Sequence, residues 1–308
     1  MAIENAIIII NKTRLEQLIE RFNTKAQAKF YIEHSGGDFA DYELEHSNFK
    51  RSLENVQKTI SNRLNHKVVE RKFLPNFIFS QKDIAVVVGQ DGLVANTAKY
   101  VNGLPILAIN PDTERFDGVL LPFDSNNFEL GLINAIENRA SFRKVTMAEA
   151  LMNDGQKLLA FNDFFIGPSS HVSARYKITF KDKSENHSSS GIIISTGAGS
   201  TGWLSSLINM SNGIFSTFNK GSKGLRMNMK WEDNKLVFIV REPFQSKYSD
   251  ITLTAGLISN EMKLRIESYM PSSGVIFSDG IEADFLKFNS GSIVEIGIAK
   301  QKAMIIKR

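Results

Sequence analysis

Asp83-Ile-Ala-Val-Val-Val-Gly-Gln-Asp-Gly92 decides the fold class: a short β-branched run ends in a Gly-containing turn that carries a single carboxylate, Asp91. An apolar run of this length, bounded by turn residues, reads as a strand buried on both faces of a sheet. Asp91 then projects from the carboxyl end of that strand, the edge where open α/β sheets bind ligands. The neighbouring sequence repeats the pattern. Ala6–Ile10 and Ile106–Ile109 are further buried strands, Val68–Phe73 is a fourth, and Val94–Tyr100 is a short helix. Leu15, Leu18, Ile19, Phe22, Ala26 and Phe30 recur at helical spacing, which predicts one helix from Arg14 to about Glu33. His34-Ser-Gly-Gly-Asp38 breaks it, Leu53, Val56, Ile60 and Leu64 mark the next helix, and Asn126–Asn138 is another. This alternation is that of a doubly wound parallel sheet.

Beyond this helix the texture changes to short alternating runs separated by Gly, Asn, Ser and Asp. They include Tyr176–Phe180, Leu236–Val240, Ile251–Thr254, Lys263–Glu267 and Ser292–Ile298. Lys181–Ser190 reads as a polar hairpin or loop, and Ser211–Gly224 as a connector. The expectation is an α/β chain with two domains: residues 1–139 as the doubly wound part and 140–308 as a mostly β second domain. Return of the last residues to the first domain is left open.

Gly191-Ile-Ile-Ile-Ser-Thr-Gly-Ala-Gly-Ser-Thr-Gly-Trp203 is an apolar strand running into a turn with three glycines and four small hydroxyls. A helix starting near Ser200 would direct free N–H groups at an anionic or polyhydroxylated ligand; a strand-to-helix turn without a ligand explains the same residues. Asn162 and Asp163 interrupt the apolar run Leu159–Gly167, where polar groups need partners; capping a turn is the alternative role.

The 37 basic and 33 acidic residues leave a net charge of +4, too small an excess for a nucleic-acid-binding tract. The chain has no cysteine, hence no disulfide framework, thiolate metal site or thiol nucleophile, and its 5 histidines lack ligand spacing. No metal site is expected from protein ligands alone. The start of the chain, with an early acidic residue and a short apolar run, is unlike a signal peptide or a spanning helix, so a soluble, cytoplasmic protein is expected, with no membrane partner.

In their order, these clusters resemble the NAD kinase family. Gly89-Gln-Asp-Gly92 is similar to the family's Gly-Gly-Asp-Gly turn, Asn162-Asp163 to its Asn-Glu/Asp pair, and Thr196–Trp203 to its Thr-Gly-Ser-Thr-rich turn. Ile109-Asn-Pro-Asp-Thr-Glu-Arg-Phe-Asp-Gly118, Asn162–Gly167 with Ser173-Ala-Arg-Tyr176, Lys12-Thr-Arg14, Arg241-Glu-Pro243 and Ser278-Asp-Gly280 look like the branch that includes the animal mitochondrial NAD kinase. Gln90 stands where the family turn has its second glycine, and Leu93 where it usually has Thr.

The resemblance implies an ATP-dependent kinase that phosphorylates the adenosine ribose 2′-hydroxyl of NAD, with Mg2+ accompanying ATP and a homodimer or larger homo-oligomer as the assembly. Asp91 is the candidate proton acceptor. Gly92, Asn162, Asp163, Ser200, Thr201 and Trp203 are candidates for the NAD site, and Gly89, Gln90, Lys12, Arg14 and Arg115 for the ATP phosphates. The three cations read equally as solvated loop charges. A kinase of another hydroxyl substrate, sugar or lipid, and a non-catalytic dinucleotide-binding protein are the alternatives.

Overall fold

The computed structural model describes residues 2–218 and 224–308. The chain divides into two compact units, Met1–Arg143 with Met304–Arg308, and Lys144–Ala303.

In chain order the first unit holds β1 (Asn5–Ile10), α1 (Arg14–Phe22), α2 (Lys25–His34), α3 (Phe39–Ser61), β2 (Asn65–Glu70), a 3₁₀ turn (Arg71–Asn76), β3 (Asp83–Val88), α4 (Asp91–Ala98), β4 (Pro105–Asn110), β5 (Phe123–Asp124) and α5 (Phe128–Ile136). Its parallel sheet runs β2-β1-β3-β4, with β5 beside the end of β4. One face packs Ala6, Ile8, Val86 and Ile109 against Phe49, Leu53, Val56 and Ile60 of α3 and Phe128 and Leu132 of α5. The alternate residues Ile7, Ile9, Val87 and Ala108 are equally buried, so both faces of the sheet are covered, as continuous apolar strands require.

The single helix expected from Arg14 to Glu33 is two. Asn23 takes a left-handed conformation at φ 65° and ends α1, and the Thr24 hydroxyl caps α2 by accepting the Gln27 amide. The strand expected at Val68–Phe73 begins earlier and gives way to the 3₁₀ turn at Arg71.

The second unit holds β6 (Phe142–Met152, which begins in the first unit), β7 (Lys157–Ala160), β8 (Asp163–Pro168), β9 (Ala174–Phe180), β10 (Lys183–Ser189), β11 (Ile192–Ser195), a 3₁₀ turn (Ala198–Thr201), α6 (Trp203–Phe218), β12 (Leu236–Val240), β13 (Ala255–Ile258), β14 (Leu264–Ser268), β15 (Gly274–Ser278), β16 (Ile281–Lys287) and β17 (Ile293–Ile306). Antiparallel strands β13-β12-β11-β8-β15-β16 form one sheet, and β10-β9-β14-β17 with β6 and β7 form a second layer. Phe164, Ile166, Ile194, Phe238 and Ile276 of the first meet Tyr176, Ile178, Ile266 and Ile296 of the second in one core. α6 covers the outer face of the six-stranded sheet: Leu204 packs on Val237, and Leu207 on Phe165 and Ile193. At its end, β17 passes into the first unit, where Met304 and Ile305 pair in parallel with Pro105 and Ile106.

Two expectations in this half fail. Ile251–Thr254 is not a strand, because pairing with β12 falls on Ala255–Ile258 instead. The connector expected over Ser211–Gly224 is helical as far as Phe218, although only Leu204 and Leu207 near the start of α6 are buried; residues 219–223 lie outside the described part. The α/β class with a second, antiparallel sheet is the observed architecture. Among the described residues no helix is long and apolar enough to cross a membrane.

Candidate functional site

The candidate residues fall into two groups, one in each unit. In the second unit they gather where three turns meet. Asp163 opens β8 opposite Ser195 of β11, so the Asn162-Asp163 turn and the Thr196 turn lie at the same end of neighbouring strands. Thr196 is fully buried and joins them: its hydroxyl donates to the Phe161 carbonyl at 2.6 Å and accepts the Ala198 and Gly199 amides, while its own amide donates to the Asn162 carbonyl at 2.9 Å. The glycines serve this close packing. A Cβ on Gly199 would stand 2.2 Å from the Asn162 carbonyl oxygen, and one on Gly197 would stand 1.9 Å from that of Lys230. Close approach to the chain's own backbone, rather than positive φ, is what calls for glycine here.

The third turn joins β15 to β16 through Asp279-Gly280, both at positive φ (54° and 68°), as a two-residue hairpin of the Asp-Gly kind adopts. The Asp279 carboxylate accepts the amides of Phe161, Asn162 and Asp163 at 3.0, 2.6 and 3.3 Å, and its own amide donates to the Asp163 carbonyl. Asp163 is only 9% exposed. Burial, and then the charge of Asp279, push its carboxyl up to about 7. Its side chain makes no hydrogen bond to any described residue.

Ser200 and Thr201 lie on the 3₁₀ turn Ala198–Thr201, so the expected helix starts later, at Trp203. The Ser200 hydroxyl donates to the Gly197 carbonyl at 2.7 Å, and Thr201 is exposed. Trp203 stacks on Phe165 with ring centroids 5.9 Å apart, and the Arg241 guanidinium lies 5.8 Å from its ring centre. Part of the Trp203 surface is thus already committed to the packing beneath α6.

In the first unit, Gly89, Gln90, Asp91 and Gly92 form the turn from β3 into α4. Gln90 occupies the N-cap position, exposed and without a side-chain capping bond, and Asp91 is the first helical residue. The Asp91 carboxylate accepts the Val119 and Leu120 amides at 3.2 and 2.8 Å. A negative side chain at this helix start is favoured by the helix dipole. Gly92 has open space where a Cβ would go, whereas a Cβ on Gly89 would meet only the end of the Leu93 side chain, at 2.8 Å. The loop that supplies Val119 and Leu120 is held by Asn110, which donates to the Phe116 carbonyl and accepts the Asp112 amide.

Each of the three candidate cations has an acidic partner. Lys12 pairs with Glu20 at 2.8 Å; Arg14 pairs with Asp41 at 2.9 Å and with Glu45, its guanidinium lying over the Tyr42 ring; Arg115 pairs with Asp41 at 2.7 Å. Asp41 therefore bridges Arg14 and Arg115, which together hold its carboxyl below the usual range, Arg115 the more strongly. The acidic partners Glu20 and Asp41 are themselves open to solvent, so these are surface ion pairs, and a phosphate would compete with those carboxylates for the cations.

In the sequence, Asp279 stands out only as part of the Ser278-Asp-Gly280 motif, with no role assigned to its side chain. Its Asp-Gly pair signals a hairpin, but nothing local indicates that its side chain reaches a turn more than 100 residues earlier.

No protein-family model matches the chain, and no curated protein matches it in sequence. Solved structures do match. Yeast NADH kinase complexed with NADH superposes with a TM-score of 0.58 at 15% identity, over 100% of this chain and 84% of that one. An NAD kinase from Archaeoglobus fulgidus in complex with ATP superposes with a TM-score of 0.57 at 15% identity, over 98% of this chain and 93% of that one. What the chain shares with both is their fold.

Proposed function

We propose that this chain is an ATP-dependent NAD kinase. The observation that carries the proposal is the junction in the second unit, where Thr196 locks the Gly/Ser/Thr turn onto Asn162-Asp163 and the Asp163 carboxyl has no hydrogen-bond partner among the described residues, on a fold shared with an NADH-bound and an ATP-bound kinase. Asn162 and Asp163 hold ribose hydroxyls, and Ser200, Thr201 and the free part of Trp203 line the dinucleotide pocket. In the first unit the Gly89–Gly92 turn receives phosphates; the open space at Gly92 supports a close backbone approach.

The reaction requires positioning and charge neutralisation more than covalent chemistry. The ribose 2′-oxygen bonds to the γ-phosphorus, the bond from that phosphorus to the ADP oxygen breaks, and Asp91 takes the hydroxyl proton. Two backbone amides fix the Asp91 carboxylate. Mg2+ neutralises phosphate charge when bound with ATP. Among the described residues there is no group of three or more His, Cys, Asp or Glu that could hold a metal. The resemblance to the mitochondrial branch, a homo-oligomeric assembly and a cytoplasmic location belong to the same proposal. The test is NADP(H) formation from ATP, Mg2+ and either NAD or NADH.

A further inference from the structure

Three backbone amides converging on one carboxylate exceed what a two-residue hairpin needs, because an Asp-Gly turn closes through its own main chain. Asn-Gly would close it as well, and would avoid placing a second carboxylate beside the buried Asp163. A like charge in such a place is costly. The aspartate at 279 therefore does something that turn closure does not call for.

We propose that Asp279 is a positioning residue for ligand binding: its carboxylate pins the amides of Phe161, Asn162 and Asp163, and its charge acts on the Asp163 carboxyl that meets the ligand. This rests on the reading of these turns as the dinucleotide site. The geometry gives Asp279 the first of these, the hold on the main chain from Phe161 to Asp163, and the Asp279 amide bonds back to the Asp163 carbonyl. Around Asp163, β11 presents Ser195 and the following turn presents Thr196, both uncharged; Asp279, from the β15–β16 turn, is the charged group acting on the Asp163 carboxyl. Ribose hydroxyls meet a hydrogen-bond donor when that carboxyl is protonated and an acceptor when it is not.

The experiment uses the full chain and the variants Asp279→Asn, Asp279→Ala and Asp163→Asn. The carboxyl ¹³C signal of Asp163, assigned by its loss in Asp163→Asn, is titrated by NMR, and NAD binding is measured by calorimetry across the same pH range. Asp163 should titrate near pH 7 in the wild type and at lower pH in Asp279→Asn, a displacement that a purely structural role would not produce. Above that range, where Asp163 is ionised in every chain that has it, Asp279→Ala should bind NAD about 10-fold or more weakly, and Asp279→Asn, which still accepts amide bonds, should recover most of the loss. An unmoved titration with unchanged NAD affinity in Asp279→Ala overturns the inference alone. A wild-type chain that binds no NAD overturns the dinucleotide reading, and the inference with it.

Discussion

The Thr196 hydroxyl donates to the Phe161 carbonyl at 2.6 Å across 35 residues of sequence, and the same oxygen accepts two amides of its own turn. One buried atom thus serves three backbone groups. Thr196→Val keeps the volume and strands all three in a site that water does not reach. Urea unfolding should show a loss of about 1–3 kcal/mol, accompanied by weaker NAD binding. An unchanged urea midpoint would mean that the two turns are joined by other contacts.

Two glycines in the candidate turns should respond in opposite ways. Gly199→Ala forces a Cβ to within 2.2 Å of the Asn162 carbonyl oxygen and should cost about 1–3 kcal/mol or more by shifting backbone. Gly92→Ala enters open space on the first turn of α4, so stability should stay within about 0.5 kcal/mol while NADP formation falls, the added methyl standing where phosphates approach. Thermal melts and a turnover assay on both variants separate the two roles. Full activity in Gly92→Ala would remove that turn from the phosphate site.

The parallel half of the fold was legible because its signals are local. Asp83–Val88 announces a buried strand by composition, and the turn at Gly89–Gly92 follows it directly in the chain. Where readings failed, the deciding contact was non-local or turned on one backbone conformation. Periodicity runs unbroken through Asn23, whose left-handed φ splits the helix; Ile251–Thr254 has strand composition, but the partner β12 takes Ala255–Ile258 instead. The site was legible in part for the same reason. Asn162, Asp163 and the Thr196–Trp203 turn stand out as polar residues within apolar runs, whereas Asp279 matters through bonds that only the folded sheet creates.

Stability should depend on pH through Asp163. Its carboxyl rises from 3.8 to about 7 on folding, so between these values the native chain holds a proton that the unfolded chain has released. The stability this contributes is fully present below about pH 4 and is lost as pH rises through about 7. Asp163→Asn lacks this dependence. Its stability relative to wild type should climb from pH 4 to 7 and then level off, with a total change on the order of 4 kcal/mol at most. A difference that is flat with pH would show that Asp163 is ionised throughout.

Gln90 departs from the glycine of the NAD kinase turn, yet it is exposed, extended at φ −99° and makes no capping bond. Gln90→Gly should therefore leave the fold intact and change NADP formation by less than about 10-fold. A larger gain, more than ~1.4 kcal/mol of barrier, would identify the native turn as impaired and favour a protein that chiefly binds dinucleotide.

The central claim is phosphoryl transfer to NAD with Asp91 as proton acceptor, and one paired assay tests it most directly. Wild type and Asp91→Asn are each incubated with ATP, Mg2+ and NAD or NADH, and NADP(H) is quantified. The account predicts ATP-dependent product from the wild type and a fall of about 10²–10⁴-fold in the variant, with its fold retained. No product from a wild-type chain that binds NAD, or a variant keeping more than about a tenth of the rate, would contradict it.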